Sequence, residues 1–342
     1  MSRDAEVVVV GAGVMGLATA RALARSGRDV VVLEQFALGH DRGSSHGTSR
    51  IFRLSYPDAE WVQLAREALP LWRELEAEAG TTLLELHGSI DLGDWGPNRD
   101  ALAACGVRHE VLERADAERR FGLALEAGER GLLQPEGGVA LADRTLDALA
   151  ASALEHGARL LDGTRAVEVT ESGGGVRVEL ESGALEAEAA VVTAGAWAPR
   201  LVELADALPT RETTAYFAHE AAIPSLIDST LEGVHGYALA APGAGAKAGV
   251  HKTGPRTDPD APGEPDDTIA RAAGEWLARR FPAIDPEPSR VETCVYTNLT
   301  DDRFTCERRG RVVVGSPCSG HGFKFAPLLG ARLGGLAESA LV

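Results

Sequence analysis

Positive charge is scarce in this chain. Asp and Glu total 51 against 34 Lys and Arg, a formal net charge of −17 over 342 residues. Nucleic acid and anionic membrane are bound through an excess of cationic groups, so neither is an expected partner. Cysteine is sparse too: Cys105, Cys294, Cys306 and Cys318 form no C-x-x-C pair and no Cys/His metal pattern. No apolar run approaches the ~20 residues that span a bilayer. The first strand follows MSRDAE with no charged-then-apolar leader. These absences predict a reduced, cytoplasmic protein without a metal. What is present is ordinary for a globular protein, 44% hydrophobic and 25% charged residues. The length exceeds one typical core, so two domains or interleaved lobes are expected.

The N-terminal segment is the most informative. From Val7 to Glu34 it reads as buried strand, glycine turn, helix and second strand. Gly11, Gly13 and Gly16 make the G-x-G-x-x-G pattern: one glycine for the tight turn, one for backbone approach to a pyrophosphate, one for close helix–strand packing. The helix points its N-terminal amides at the phosphates. Glu34 ends the second strand, about 20 residues on, where a carboxylate accepts ribose hydroxyls. A dinucleotide site follows, with NAD and FAD both open at this point.

Beyond Glu34 comes a polar Gly/Ser loop, His40–Ser49, then the short run RIFRLSY. Apolar spacing predicts a helix over 61–79, bent near Pro70. Segment 82–134 reads as short strands with a small helix. A further helix spans Arg144–His156, closed by Gly157. Alternating segments follow at 166–170, 176–180 and 185–192, the last running into VVTAGAW. Alternation returns at 212–219, 236–251 and 291–297, predicting a mainly antiparallel second sheet. Residues 253–267 form a Pro/Asp-rich surface loop ahead of a helix. The chain closes with a strand, RVVVG, a glycine-rich turn, SGHGFKF, and a helix from about 327.

Two features favour FAD. Simple NAD dehydrogenases continue with parallel βα units, whereas this chain breaks into HDRGSSHGTSRIFR. A C-terminal strand and glycine turn are also placed to rejoin the first sheet. In VVVVGAGVMG, SHGTSRIFRLSY, VVTAGAW, KAGVH, CVYT and SGHGFKF, spread in order over nearly the whole length, the chain resembles the monomeric sarcosine oxidase and N-methyltryptophan oxidase family of D-amino-acid oxidase-like flavoproteins. The resemblance implies an α/β, two-lobed fold: a Rossmann-like FAD-binding domain (1–81, 135–205, 298–342) interleaved with a mainly antiparallel substrate domain (82–134, 206–297).

It also implies roles. FAD is attached through a thioether from Cys294, with Cys318 the lesser alternative. Gly11, Gly13, Val14, Met15, Gly16, Glu34, Gln35, Ser45, His46, Thr48, Ser49, Arg50, Val167, Ala194, Gly195, Trp197, Gly320, His321, Gly322, Phe323 and Lys324 pack against the cofactor. Arg53 grips the substrate carboxylate, as a guanidinium fork does best, and Lys324 is its second ligand. Lys247 stabilises negative charge developing on oxygen. His251, on the same strand face, and Tyr237 and Tyr296 line the pocket. The implied reaction is oxidation of a secondary, N-methyl or cyclic amino acid, giving an imine by hydride transfer to flavin and H2O2 from O2 in a monomer. A dehydrogenase using another acceptor is the alternative, a non-catalytic flavin protein a weaker one. Relative to the family, the chain is expected to be shorter, mostly between Thr210 and Gly236 and at the C-terminus.

Overall fold

The computed structural model describes residues 3–204 and 206–341; positions 1, 2, 205 and 342, at the ends of expected domain segments, lie outside the described residues. The fold is organised by two eight-stranded sheets and a three-stranded one. In the first, Ala5–Val10 runs parallel to Val30–Leu33 on one side and to Gly183–Val192 on the other. Val30–Leu33 pairs in parallel with Arg159–Leu161. Parallel strands covered on both faces need apolar side chains throughout, which is why Ala5–Val10 and Val30–Leu33 carry runs of valine rather than alternations.

Gly183–Val192 serves two partners along its far edge. Its first half pairs antiparallel with Gly175–Leu180, itself hairpinned to Ala166–Ser172. Its last three residues pair in parallel with Val312–Ser316. The C-terminal strand therefore rejoins the N-terminal sheet, as expected, and Thr305–Arg309 adds to its edge. Helices Val14–Arg25, Ala142–Glu155 and Ala326–Glu338 pack together over this sheet. Small residues set the helix spacing: a Cβ on Gly330 would come within 2.4 Å of the Ala18 Cβ.

The helix Ala59–Ala79 is capped by Asp58, which accepts the Glu60 amide, and ends at Gly80 in the left-handed region. It continues through Pro70. Its buried stripe includes Val62, Ala68, Trp72 and Leu75, and the Trp72 indole donates to the Lys324 carbonyl at 2.7 Å.

The second sheet is antiparallel except where Ser225–Asp228 meets Ser89–Leu92. Its order places Arg290–Asn298, Leu208–Phe217, Gly245–His251 and His235–Ala241 side by side. Helix Asp267–Arg280 covers one face, packing Ala273, Trp276 and Leu277 against Phe217, Ala238, Ala246 and Ala248. Strand alternation then turns Lys247, Gly249 and His251 to the opposite face. The small sheet, Ser49–Phe52, Gly138–Leu141 and Leu84–Glu85, ties in between: the Ser49 hydroxyl donates to the Ala240 carbonyl and that of Ser225 to the Gly138 carbonyl.

Candidate active site

The glycine turn is built for close approach. Gly11 has φ +100°, and a Cβ there would lie 2.8 Å from the Thr193 carbonyl oxygen. A Cβ on Gly16 would sit 1.8 Å from the Gly11 oxygen, so Gly16 is a packing residue under the turn. The helix it opens has no acid in its first turn and no side chain on its N-cap. Ser45 accepts the Val14 amide at 3.1 Å; the neighbouring first-turn amides are the donors a phosphate takes. Glu34 accepts the Ala12 amide at 2.9 Å and the Phe36 amide at 3.0 Å. Burial alone would raise its pKa, but His40 and these two amides outweigh it and hold it below the ordinary value.

From this turn a cavity of about 690 Å³ runs between the two large sheets, within the range of small-molecule sites. Of the residues nominated from sequence, all line it except Gly16 and Thr48. Thr48 sits behind the wall, its hydroxyl donating to that of Tyr216 at 3.4 Å. At the rim beside the turn, Val167 is exposed and Trp197 is buried against Phe36. The Trp197 indole donates to Asp260 at 2.7 Å, and Asp260 also takes Arg165 and Arg200. With that indole bond as the largest cause, its pKa falls to about 2. The Pro/Asp loop is thus anchored to the cavity rim, which its composition did not reveal.

The middle of the cavity is cationic. Arg50 donates to the carbonyls of Ser44, Ser49 and His46 and lies 5.9 Å from the Phe323 ring. His46 is buried, and its Nε2 has no partner among the described residues. Burial and then the Arg50 charge push its pKa down to about 4, so the imidazole is neutral. An orphaned buried nitrogen beside a guanidinium fits a polar ring edge, and with the turn amides it fits a flavin dinucleotide. The Cys294 thiol faces the same space, with burial pushing its pKa up to about 11 against the pull of Arg50 and Lys247. Lys247 Nζ lies 3.1 Å from Glu292 Oε1 and 5.1 Å from the Tyr216 ring. Burial, then Arg50, lowers its pKa to about 8 although Glu292 opposes them.

Beyond this, Arg53 pairs with buried Asp91 at 3.1 Å and stacks over Tyr56 at 4.5 Å. Asp91 also accepts from Ser55 and, at 3.2 Å, from Asn98. Most of Arg53's five-donor fork remains for a ligand. Lys324 Nζ donates to the His321 carbonyl at 2.6 Å among the Tyr56 and Phe325 rings. Burial, helped by the Arg53 charge, holds its pKa well below normal. Arg53 and Lys324 thus place two basic side chains beside an aromatic floor.

The remaining walls are fixed by the same turns. Gly320, at φ +73°, passes so close that a Cβ would strike His251 and Tyr296 at 2.5 Å. Burial lowers the His251 pKa to about 3 and raises that of Tyr296. The Tyr237 hydroxyl shares a 2.7 Å hydrogen bond with Thr214. His321 is packed, tilted or edge-on, among Tyr56, Trp61, Phe304 and Phe325 and is kept neutral chiefly by burial. Asp91, Glu292 and Tyr216 escaped the sequence reading. A lone carboxylate inside a buried strand, as in SIDL, was the available signal for the first, because such a group needs a partner. Among the described residues no His/Cys/Asp/Glu group could hold a metal, and no helix is long and apolar enough to cross a membrane.

Comparisons with known proteins place the chain in a family and a fold. Residues 6–336 match the model of the FAD dependent oxidoreductase family. The mouse peroxisomal sarcosine oxidase is 33% identical, over 96% of this chain and 90% of its own. The monomeric sarcosine oxidase of Bacillus sp. (strain B-0618) is 28% identical, over 98% and 93%. The structure of NikD, described as an unusual amino acid oxidase essential for nikkomycin biosynthesis, superposes with a TM-score of 0.88 at 30% identity, covering 98% of this chain and 94% of that one. An L-proline dehydrogenase from P. horikoshii shares the fold, with a TM-score of 0.84 at 21% identity. Matched to that family model along nearly its whole length, and to relatives at about 30% identity over the same span, the chain belongs to the FAD-dependent oxidoreductase family.

Proposed function

We propose that the protein oxidises a secondary, N-methyl or cyclic amino acid and passes the electrons to O2. The observation that carries this reading is the convergence of Arg53, Lys324 and Lys247 on one cavity continuous with the glycine turn. Arg53 and Lys324 bind the substrate carboxylate; the arriving anion returns Lys324 to its charged form, so binding and protonation are coupled. The amine enters uncharged, directed by that anchor and enclosed by Tyr237, Tyr296 and His251. Bound FAD supplies the acceptor for the hydride equivalent lost from the carbon beside nitrogen and, in turn, the two electrons that reduce O2 to H2O2. Lys247 contributes a fixed positive charge where negative charge develops on oxygen. The named similarities to sarcosine and amino acid oxidases support the substrate class.

The first sheet and its turns hold the cofactor, and the second sheet chooses the substrate. Gly11, Gly13 and the helix start take the pyrophosphate, Glu34 the ribose, and Arg50, His46 and the Gly320–Gly322 turn the ring system. Cys294 is the attachment point, and the protein acts as a monomer. Acid-precipitated wild-type protein keeps its flavin and Cys294→Ser releases it; free flavin from wild type removes the covalent assignment. The deciding experiment adds N-methyl and cyclic amino acids to the yellow protein without oxygen, then admits air. Bleaching by at least one carboxylate-bearing amine, followed by peroxide at least equal to the flavin, is expected. No bleaching by any of them overturns the substrate class, and recolouring without peroxide overturns oxygen as the acceptor.

A further inference from the structure

Lysine occurs three times in the whole chain, as Lys247, Lys252 and Lys324. Two line the cavity; the third follows His251 and pairs with Asp302 on the surface side. A chain that uses arginine nearly everywhere else has put lysine where a charge is buried. Of the two in the cavity, Lys247 is the one with a carboxylate partner, and the register explains how. Tyr216, on Leu208–Phe217, pairs with Lys247 on one side and Arg290 on the other; its neighbour Thr214 pairs with Glu292. Lys247 and Glu292 are thus two strands apart, and their long side chains meet above the strand between them.

Glu292 is itself held. The Tyr216 hydroxyl donates to the same oxygen that faces Lys247, at 2.6 Å. Arg290 lies 3.9 Å over the Tyr216 ring and 3.5 Å from the other Glu292 oxygen. Glu292 is 19% exposed where Lys247 is 6%. The carboxylate keeps contact with water while the ammonium does not. Arg50 and neutral His46 from the adjoining strand and loop, and Cys294 from the strand that carries Glu292, also face Lys247. Asp143, at the start of Ala142–Glu155, stands behind them and accepts the Gly47 amide at 2.7 Å. Arg50 works against a second positive charge here, and among these groups Glu292 is the one carboxylate in contact with the ammonium.

We propose that Glu292 is a positioning residue for Lys247: its carboxylate, locked by Tyr216, aims the ammonium into the cavity and supplies its counter-charge. Without it, burial and Arg50 would leave a neutral amine free to turn away. The placement rests on the chain's own residues; its catalytic consequence rests on the proposed oxygen role of Lys247.

Three lysines make the test direct. Flavin-loaded protein labelled with ¹³C at lysine Cε gives three signals, and Lys247→Met assigns one by its loss. In Glu292→Gln the Lys247 titration midpoint falls by about one pH unit or more, and Glu292→Asp restores most of it. Tyr216→Phe, which leaves the carboxylate in place, gives a smaller fall in the same direction. Reoxidation of reduced protein by O2 slows about threefold or more in Glu292→Gln at pH 7.5, in step with the lost ammonium fraction, and recovers on acidification. An unmoved midpoint in both Glu292→Gln and Tyr216→Phe overturns the proposal. A midpoint that moves while Lys247→Met reoxidises at the wild-type rate supports the pairing and overturns the oxygen role instead.

Discussion

Lys247 and Lys324 are two buried lysines in one cavity, and their surroundings differ by a single carboxylate. Lys247 meets Glu292, with Tyr216 and Arg290 completing the pair. Lys324 meets a carbonyl oxygen, two aromatic rings and the repulsion of Arg53. Burial penalises both ammonium ions, but only the first is compensated in advance. The difference teaches which cation is permanent equipment and which is completed by a ligand. A paired lysine offers its charge throughout turnover; an unpaired one exchanges a proton when an anion arrives.

The largest expected effect breaks the paired side. Lys247→Met slows reoxidation by O2 about 100-fold or more while flavin bleaching by substrate changes little, the size seen when one preorganised charge is removed. Rapid mixing of reduced protein with oxygen measures it; equal loss in both half-reactions would remove the distinction. Next comes the unpaired side. Lys324→Met weakens carboxylate inhibitors by roughly 30-fold, the loss of one charged hydrogen bond, read from flavin spectral titration. The same change leaves the melting temperature of the ligand-free protein unchanged or raised by about 1–3 °C, because an uncompensated buried amine is exchanged for an apolar side chain of similar length. Lys247→Met lowers it, because Glu292 loses its partner.

Asp91→Asn tests the neighbouring pair at a smaller scale. Arg53 loses the anion that orients it, and KM rises about tenfold with kcat nearly retained, as expected for lost ground-state binding. The smallest effect is the pH response of the wild type. With the Lys247 midpoint lowered to about 8, the ammonium is present below that pH and lost above it. Reoxidation therefore declines as pH rises through about 8, and the decline is absent in Lys247→Met. A rate flat from pH 7 to 9.5 in the wild type would show that the lysine charge is not used.

Much of this was readable before any coordinates. The valine runs, the glycine spacing and the alternating segments report local rules, and each formed the element expected of it. The roles of Gly11 and Gly16 followed from backbone crowding alone, and the observed 2.8 Å and 1.8 Å approaches show that crowding. The carboxylates were hidden for a different reason. Glu292 meets Lys247 across an intervening strand, and Asp91 meets Arg53 from another sheet, so neither pairing has a signature in spacing along the chain. Thr48 was nominated from its motif and stands behind the wall, because alternation in the short strand that follows turns it toward Tyr216. Local sequence names the positive groups; tertiary pairing decides how much of each charge is left over.

The strand Gly183–Val192 carries one last consequence, concerning time. Its final three residues wait for Val312–Ser316, the last strand among the described residues to be made. During synthesis the N-terminal sheet therefore leaves the ribosome with an open parallel edge, a surface prone to wrong partners. The turn that follows Val312–Ser316 also bears Gly320, Gly322 and Lys324, so closing the sheet and finishing the cavity are one event. A nascent chain halted before residue 312 should have its glycine turn and yet fail to retain flavin. Cofactor capture would then be the signal that this last pairing has been made.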